Sequence, residues 1–241
     1  MDDYVRQWLD NAERHGVPEE ALAGIVPHIP PAGFHLLAGM EEIRDRQGKS
    51  FFLIPRTTGG ADTRRAVLLT YVLNAGTGYG RPGGQPTDFP ETPYGAAEVR
   101  RILNRQSRNG WSYARDVEFV HRHGGRLVTT PNGMLMGLGG NWIQRQFSRR
   151  GGTTWGDIFM VNAGRVADPA ERLRRIVRSH RGEPDLDRVL HHEEIHSRQW
   201  AAKGYAGMLF GYGRELVREW ACGEANRLEA DAGLSDGGYR A

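Results

Sequence analysis

Two histidines in the carboxyl-terminal third of the chain are the residues best placed to do chemistry. His192 and His196 enclose Glu193 in a His-Glu-x-x-His pattern. Residues four apart on a helix lie on the same face, so both imidazoles can share one metal ion. Glu193 is turned by about 100° from His192, which puts its carboxylate beside that ion. The pattern predicts a zinc site in which Glu193 takes a proton from metal-bound water and so creates a nucleophile.

The segment that carries these histidines is predicted to be helical. Pro184 suits the start of a helix, and an apolar stretch follows it. Val189 and Trp200 fall on the same face as His192 and His196, as expected of a helix whose metal-binding face is also packed. His191 falls on a different face, so it is not predicted to be a ligand.

The motif and its surroundings resemble the zincin-type metallopeptidases, in particular the gluzincin branch. Gln199 and Trp200 follow the motif as in many small bacterial proteins of this type. The resemblance covers residues 153–239 and implies a zinc-dependent hydrolase that acts on a peptide or protein. It also implies that the strand predicted at residues 154–161 forms the edge of the substrate cleft. Gln199 and Ala202 occupy the positions of the metzincin extension, so a third histidine ligand of that kind is excluded.

The resemblance implies that the third zinc ligand is a glutamate on a later helix. Glu229 is preferred, because the segment of residues 226–232 is most similar to the glutamate-bearing helix of gluzincin relatives. Glu224 is the alternative, since Ala225-Asn226 after it is also similar to a related family pattern. The two glutamates are five residues apart, about 140° around a helix, so at most one can face the ion. Other acidic residues in this region are interpreted as solvated, and the lone cysteine as buried: Glu215, Glu219, Asp231 and Cys222.

A tyrosine near the end of the sequence is a further catalytic candidate. Tyr239 follows a glycine-rich turn, where its hydroxyl could hydrogen-bond a developing oxyanion. Simple packing is the alternative interpretation. Tyr205 and Tyr212 are weaker candidates for the same role.

Composition limits the classes of function. The 241 residues are 39% hydrophobic and 25% charged, ordinary values for a globular protein. No run approaches the roughly 18 to 20 apolar residues of a membrane span, and no signal-peptide pattern is present. The single cysteine excludes an internal disulfide, so a cytoplasmic location is expected, with export by a leaderless route as the alternative. The net charge is only +3, with arginines scattered among acids, which argues against nucleic-acid binding.

The predicted fold class is α+β, mainly helical with a small sheet. Helices are predicted over residues 2–25, with a break near Pro18, and from residues 92–93 to about Arg108. Further helices are predicted from Asp168 through Ile176 and over residues 213–232. Strands are predicted at residues 51–54 and 154–161, and a hairpin turns at residues 131–133. Residues 151–241 form the metal-binding catalytic region. Residues 1–150 have no assigned role, as a separate region or as part of the same domain.

Two rival functions remain open. The first is a metal-binding protein of this fold without peptidase activity, or one that acts on a non-peptide bond. The second is a regulatory or interaction module in which the histidines are structural. Metal content separates the second rival from the others, and turnover separates the first.

Overall fold

A six-stranded mixed sheet lies at the centre of the molecule. The computed structural model describes residues 3–79, 94–139, 152–164, 166–179, 186–222 and 228, with side chains of the long final helix described as far as residue 211. The strand order is β1-β2-β3-β4-β6-β5, and every neighbouring pair is antiparallel except β4 and β6. The strands are β1 Glu41–Arg44, β2 Ser50–Leu53, β3 Arg126–Thr129, β4 Leu135–Leu138, β5 Gly152–Trp155 and β6 Ile158–Val161.

Helices cover both faces of the sheet, so the α+β prediction is confirmed. Two 3-10 segments, Val26–His28 and Pro31–Gly39, lie between the second α-helix and β1, and a π-helical turn, Ser112–Asp116, lies between the fourth and fifth α-helices. In the described residues no single helix is both long and apolar enough to cross a bilayer. The α-helices are α1 Asp3–Arg14, α2 Glu19–Ile25, α3 Gly60–Leu73, α4 Ala96–Arg108, α5 Val117–Arg122, α6 Pro169–Arg178 and α7 Leu186–Cys222.

The apolar core has two layers against the sheet and a third between helices. One layer packs Phe51 and Phe159 of the sheet against α6 and the start of α7. The second packs Leu127 and Ile158 against α3 and α5. The third joins α1 to α4 around Leu68 and Ile102. Strands β1 to β4 come from before residue 150 and strands β5 and β6 from after it, so both regions contribute to one sheet.

Local signals placed several elements correctly. The hairpin of β3 and β4 turns at residues 131–133 as predicted, with Gly133 at φ 73°. Asp168 caps α6, because its Oδ1 accepts hydrogen bonds from the backbone N–H groups of Ala170 and Glu171, both at 3.0 Å. The predicted strand at residues 51–54 corresponds to β2.

The single strand predicted at residues 154–161 is wrong. This segment is a hairpin in which Trp155 of β5 pairs with Ile158 of β6 across a two-residue turn. Gly156 has φ 62° in that turn, a conformation that two-residue hairpins favour and that glycine adopts without strain. The hairpin makes β5 the edge strand on this side of the sheet.

The prediction that a separate helix begins near residue 213 is also wrong. Helix α7 continues from Leu186 to Cys222 and is broken only at Gly204, where φ is 70° and ψ is 169°. A glycine within a helix costs only about 1 kcal/mol relative to alanine, so a glycine-rich sequence does not require a loop. The break at one residue lets α7 change direction without a connecting segment.

Candidate metal centre

The two histidines converge on one point. His192 and His196 lie one turn apart on α7, and their ring centroids are 4.7 Å apart at an interplanar angle of 85°. Their Nε2 atoms are 3.1 Å apart. Two nitrogens bound at tetrahedral angles to one zinc ion, each at 2.0 to 2.1 Å, lie about 3.3 Å apart. The observed separation is that of a hydrogen bond between the two rings, and it is also close to the separation of two zinc ligands.

A hydrogen-bond chain sets the tautomer of His196. The Nε2 of Gln199 donates to the backbone carbonyl of Leu228 at 3.0 Å, so its Oε1 is the amide atom that meets His196. The distance from that Oε1 to Nδ1 of His196 is 3.0 Å. Since an amide oxygen can only accept, Nδ1 carries the proton and Nε2 keeps its lone pair toward His192. This is the form of histidine that binds a metal through Nε2.

Glu193 is buried beside this pair and is oriented by the edge strand. Its side chain is 4% exposed, and its Oε2 accepts a hydrogen bond from the Thr154 hydroxyl at 2.8 Å. The indole of Trp200 donates to the Thr154 backbone carbonyl at 2.9 Å. Strand β5 is therefore joined to α7 at Glu193, within the motif, and at Trp200, after the motif. The hydrogen bond from Thr154 limits the rotation of the Glu193 carboxylate.

The opposite face of the same helix turn is held by buried charge. Glu194 accepts a hydrogen bond from Nη1 of Arg105 at 2.8 Å, and it also pairs with Arg101. Burial raises the pKa of Glu194, but the two arginines outweigh burial and hold the pKa below its usual value. Glu194 therefore stays ionised, and its ion pairs fix the rotation of α7 about its axis.

Asp157 completes this support from the hairpin turn. It is fully buried and accepts hydrogen bonds from Asn109 at 2.8 Å and from the Tyr113 hydroxyl at 3.0 Å. It also accepts one from Ser197, the residue after His196. Burial, and then the Asp157 charge, raise the pKa of Tyr113 well above its usual value, so its hydroxyl remains a donor.

Sequence reasoning missed this network, although α4 carried a signal for it. Arg105 continues the helical spacing of Val99 and Ile102, which are fully buried apolar residues. A charged residue on an apolar face needs a buried partner. The partner itself could not be identified, because Glu194 lies 89 residues further along the chain.

The remaining predicted site residues lie outside the described residues. These are Glu229, Glu224 and Tyr239. Among the described residues, no group of three histidine, cysteine, aspartate or glutamate side chains is placed to hold a metal ion. Leu228, the residue before Glu229, is described: it is 3% exposed and packs against Trp200 and Met208.

Comparisons with protein-family models, with curated proteins and with solved structures find no match to this chain.

Proposed function

We propose that this protein is a zinc-dependent hydrolase whose substrate is a peptide or protein. The observation that carries the proposal is the arrangement on α7. Two histidine Nε2 atoms lie 3.1 Å apart, and a buried glutamate beside them is held by a strand hydroxyl. A structural pair of histidines would not need a buried, oriented carboxylate one residue away.

The residues of the chain divide the work of hydrolysis. His192 and His196 would hold the ion, which supplies Lewis acidity toward a carbonyl oxygen and lowers the pKa of water. The Glu193 carboxylate takes the proton of the attacking water and returns it to the leaving amine. Thr154 keeps that carboxylate oriented through both proton transfers. The low exposure of Glu193 excludes bulk water, which strengthens each of these interactions.

A peptide substrate is favoured by the position of β5. An edge strand presents backbone N–H and C=O groups that can pair with an extended peptide. Strand β5 is at the edge of the sheet, and its Thr154 contacts Glu193 directly. A peptide along β5 would therefore lie beside Thr154 and close to Glu193, with the Thr154 carbonyl already bonded to the Trp200 indole.

Zinc content is the first prediction. We expect about one zinc ion per purified chain, the stoichiometry of a mononuclear site, and its loss in His192→Ala and in His196→Ala. Elemental analysis of the purified proteins measures it. The matched control is His191→Ala, a half-buried histidine of the same helix turn, which is expected to keep the metal. Full zinc occupancy in either of the first two variants, or none in the wild type, would refute the site.

The identity of the third ligand is the second prediction. Catalytic zinc usually has three protein ligands, and we propose Glu229 for this position, with Glu224 as the alternative. The placement of Leu228 supports this choice, because its carbonyl meets Gln199, which itself contacts His196. We expect Glu229→Ala to weaken zinc binding by more than the roughly tenfold to hundredfold cost of losing an outer partner. Glu224→Ala is the matched control in competitive chelation, and a loss confined to Glu224→Ala would assign the ligand to Glu224.

A further inference from the structure

Four aromatic side chains form a cluster at the end of the edge strand. Trp155 and Trp200 have ring centroids 4.8 Å apart. Trp111 lies 5.5 Å from Trp200 and 4.9 Å from Tyr205. Edge-to-face and tilted pairs of this kind are favourable and rigid. We refer to Trp111, Trp155, Trp200 and Tyr205 as the aromatic cluster.

The aromatic cluster adjoins the residues proposed to react. Trp155 follows Thr154, but successive side chains of a strand point to opposite faces, so its ring lies on the face of Ile158 and not on the face where Thr154 donates to Glu193. Trp200 is one helical turn after His196, and its indole is hydrogen-bonded to the Thr154 carbonyl. The cluster is therefore joined to the site through Trp200, which lies one turn after His196 and bonds the Thr154 carbonyl at the sheet edge, while Trp155 packs on Trp200 from the other face of β5.

Part of this aromatic surface faces solvent. Trp200 forms the buried base at 5% exposure, Trp111 and Trp155 are half-buried, and Tyr205 is 38% exposed. Leu209 and Phe210 continue the apolar surface at 42% and 78% exposure. Three of the four exposed large hydrophobic side chains in the described part of the chain thus lie within residues 205–210. Grouped apolar exposure of this kind marks a binding surface.

The charged groups at the aromatic cluster compensate one another. The Arg115 guanidinium lies 5.4 Å from the Trp111 ring and 5.2 Å from the Tyr205 ring. Asp116 pairs with Arg115 at 2.7 Å and accepts a hydrogen bond from the Trp155 indole at 3.2 Å. Arg115 therefore already covers part of the Trp111 and Tyr205 ring faces, and its charge is balanced by Asp116. The remaining ring surface suits an uncharged side chain.

We propose that the aromatic cluster is a specificity subsite, and that it binds a large apolar side chain of the substrate next to the bond that is cleaved. This proposal rests on the proposed hydrolase function. Aromatic side chains fit best, because they can add a further edge-to-face contact to rings that are already fixed in place. The break at Gly204 positions Tyr205, since it ends the first part of α7 just before that residue.

Cleavage-site mapping tests the subsite. The wild type is incubated with denatured casein, the cleaved bonds are identified by mass spectrometry, and matched peptides are made with the flanking apolar residue kept, or replaced by alanine or lysine. We expect kcat/KM to be about tenfold to a hundredfold higher for phenylalanine than for alanine, the usual effect of burying one large apolar side chain. Tyr205→Ala should lose most of this ratio, and Tyr205→Phe should restore it. Val26→Ala, at an equally exposed apolar position on a 3-10 turn, should leave it unchanged.

A binding measurement separates failure of the subsite from failure of the hydrolase proposal. In the Glu193→Gln background, N-acetylphenylalaninamide is expected to produce a saturable change in tryptophan emission that N-acetylalaninamide does not produce. Adding Tyr205→Ala should abolish it. A wild type that cleaves casein without preference, or that prefers lysine, overturns the subsite and leaves the hydrolase intact. Emission changes without any hydrolysis sustain the subsite alone, and absence of the emission change overturns it.

Discussion

Replacing Glu193 with glutamine is expected to lower turnover by at least about a hundredfold, the usual scale for loss of a general base. Glutamine keeps an oxygen that can accept the Thr154 hydroxyl, which donates to Glu193 at 2.8 Å in the wild type. The side chain should therefore stay in place while its ability to take a proton is lost. Turnover of a mapped casein peptide measures the effect, and zinc content and thermal melting are measured on the same sample.

The matched control for this prediction is Glu118→Gln. Glu118 lies on α5 with its side chain 71% exposed and paired only with Arg122 in the described contacts. Its replacement should leave turnover close to that of the wild type. Zinc loss in Glu193→Gln, or hydrolysis that continues at the wild-type rate, would contradict the role of Glu193 as the proton acceptor.

Local chemistry explains what the sequence predicted correctly. The turn at residues 131–133, the Asp168 cap and the helix around His192 each depend on residues within a few positions of one another. Such signals act on the backbone directly and need no tertiary partner. The spacing of His192 and His196 belongs to this class, which is why a sequence pattern could place both nitrogens on one face.

The support of the site depends on contacts that no local pattern contains. Arg105 and Glu194 are 89 residues apart, and Asn109 and Asp157 are 48 apart. The parallel pairing of β4 with β6 likewise joins segments that the sequence does not connect locally. The turn after Trp155 is different, because Gly156-Asp157 is a local two-residue turn signal that the prediction of a single strand overlooked. Asp157 looks like one polar residue in an apolar strand until its buried partners Asn109, after α4, and Tyr113, on the π-helical turn, are known.

Arg105→Met is expected to lower the free energy of unfolding by about 3–5 kcal/mol, the cost of removing one partner from a buried ion pair. Arg105 is 3% exposed; it donates hydrogen bonds to Glu194 and to the Gly133 carbonyl and forms an ion pair with Asp157. Methionine fills a similar volume, so the cost arises mainly from buried acids that lose a cation. Chemical denaturation measures it. Arg174→Met is the matched control: its pair with Glu41 at 2.7 and 2.8 Å is partly exposed, so it should cost at most about 1 kcal/mol.

The pH dependence separates lost charge from lost packing. In the wild type the arginines hold the pKa of Glu194 below its usual value. The stabilisation from this carboxylate is therefore complete at neutral pH and is lost only as the pH falls through that lowered pKa. Without Arg105, one cation fewer offsets the effect of burial on the pKa of Glu194. The pKa is then higher, and Glu194 takes up a proton at a higher pH. The cost of Arg105→Met should thus be largest at neutral pH and shrink toward about pH 4. An equal cost at both pH values would assign the effect to packing, and an equal cost at Arg174 would show that the buried pair does not hold α7.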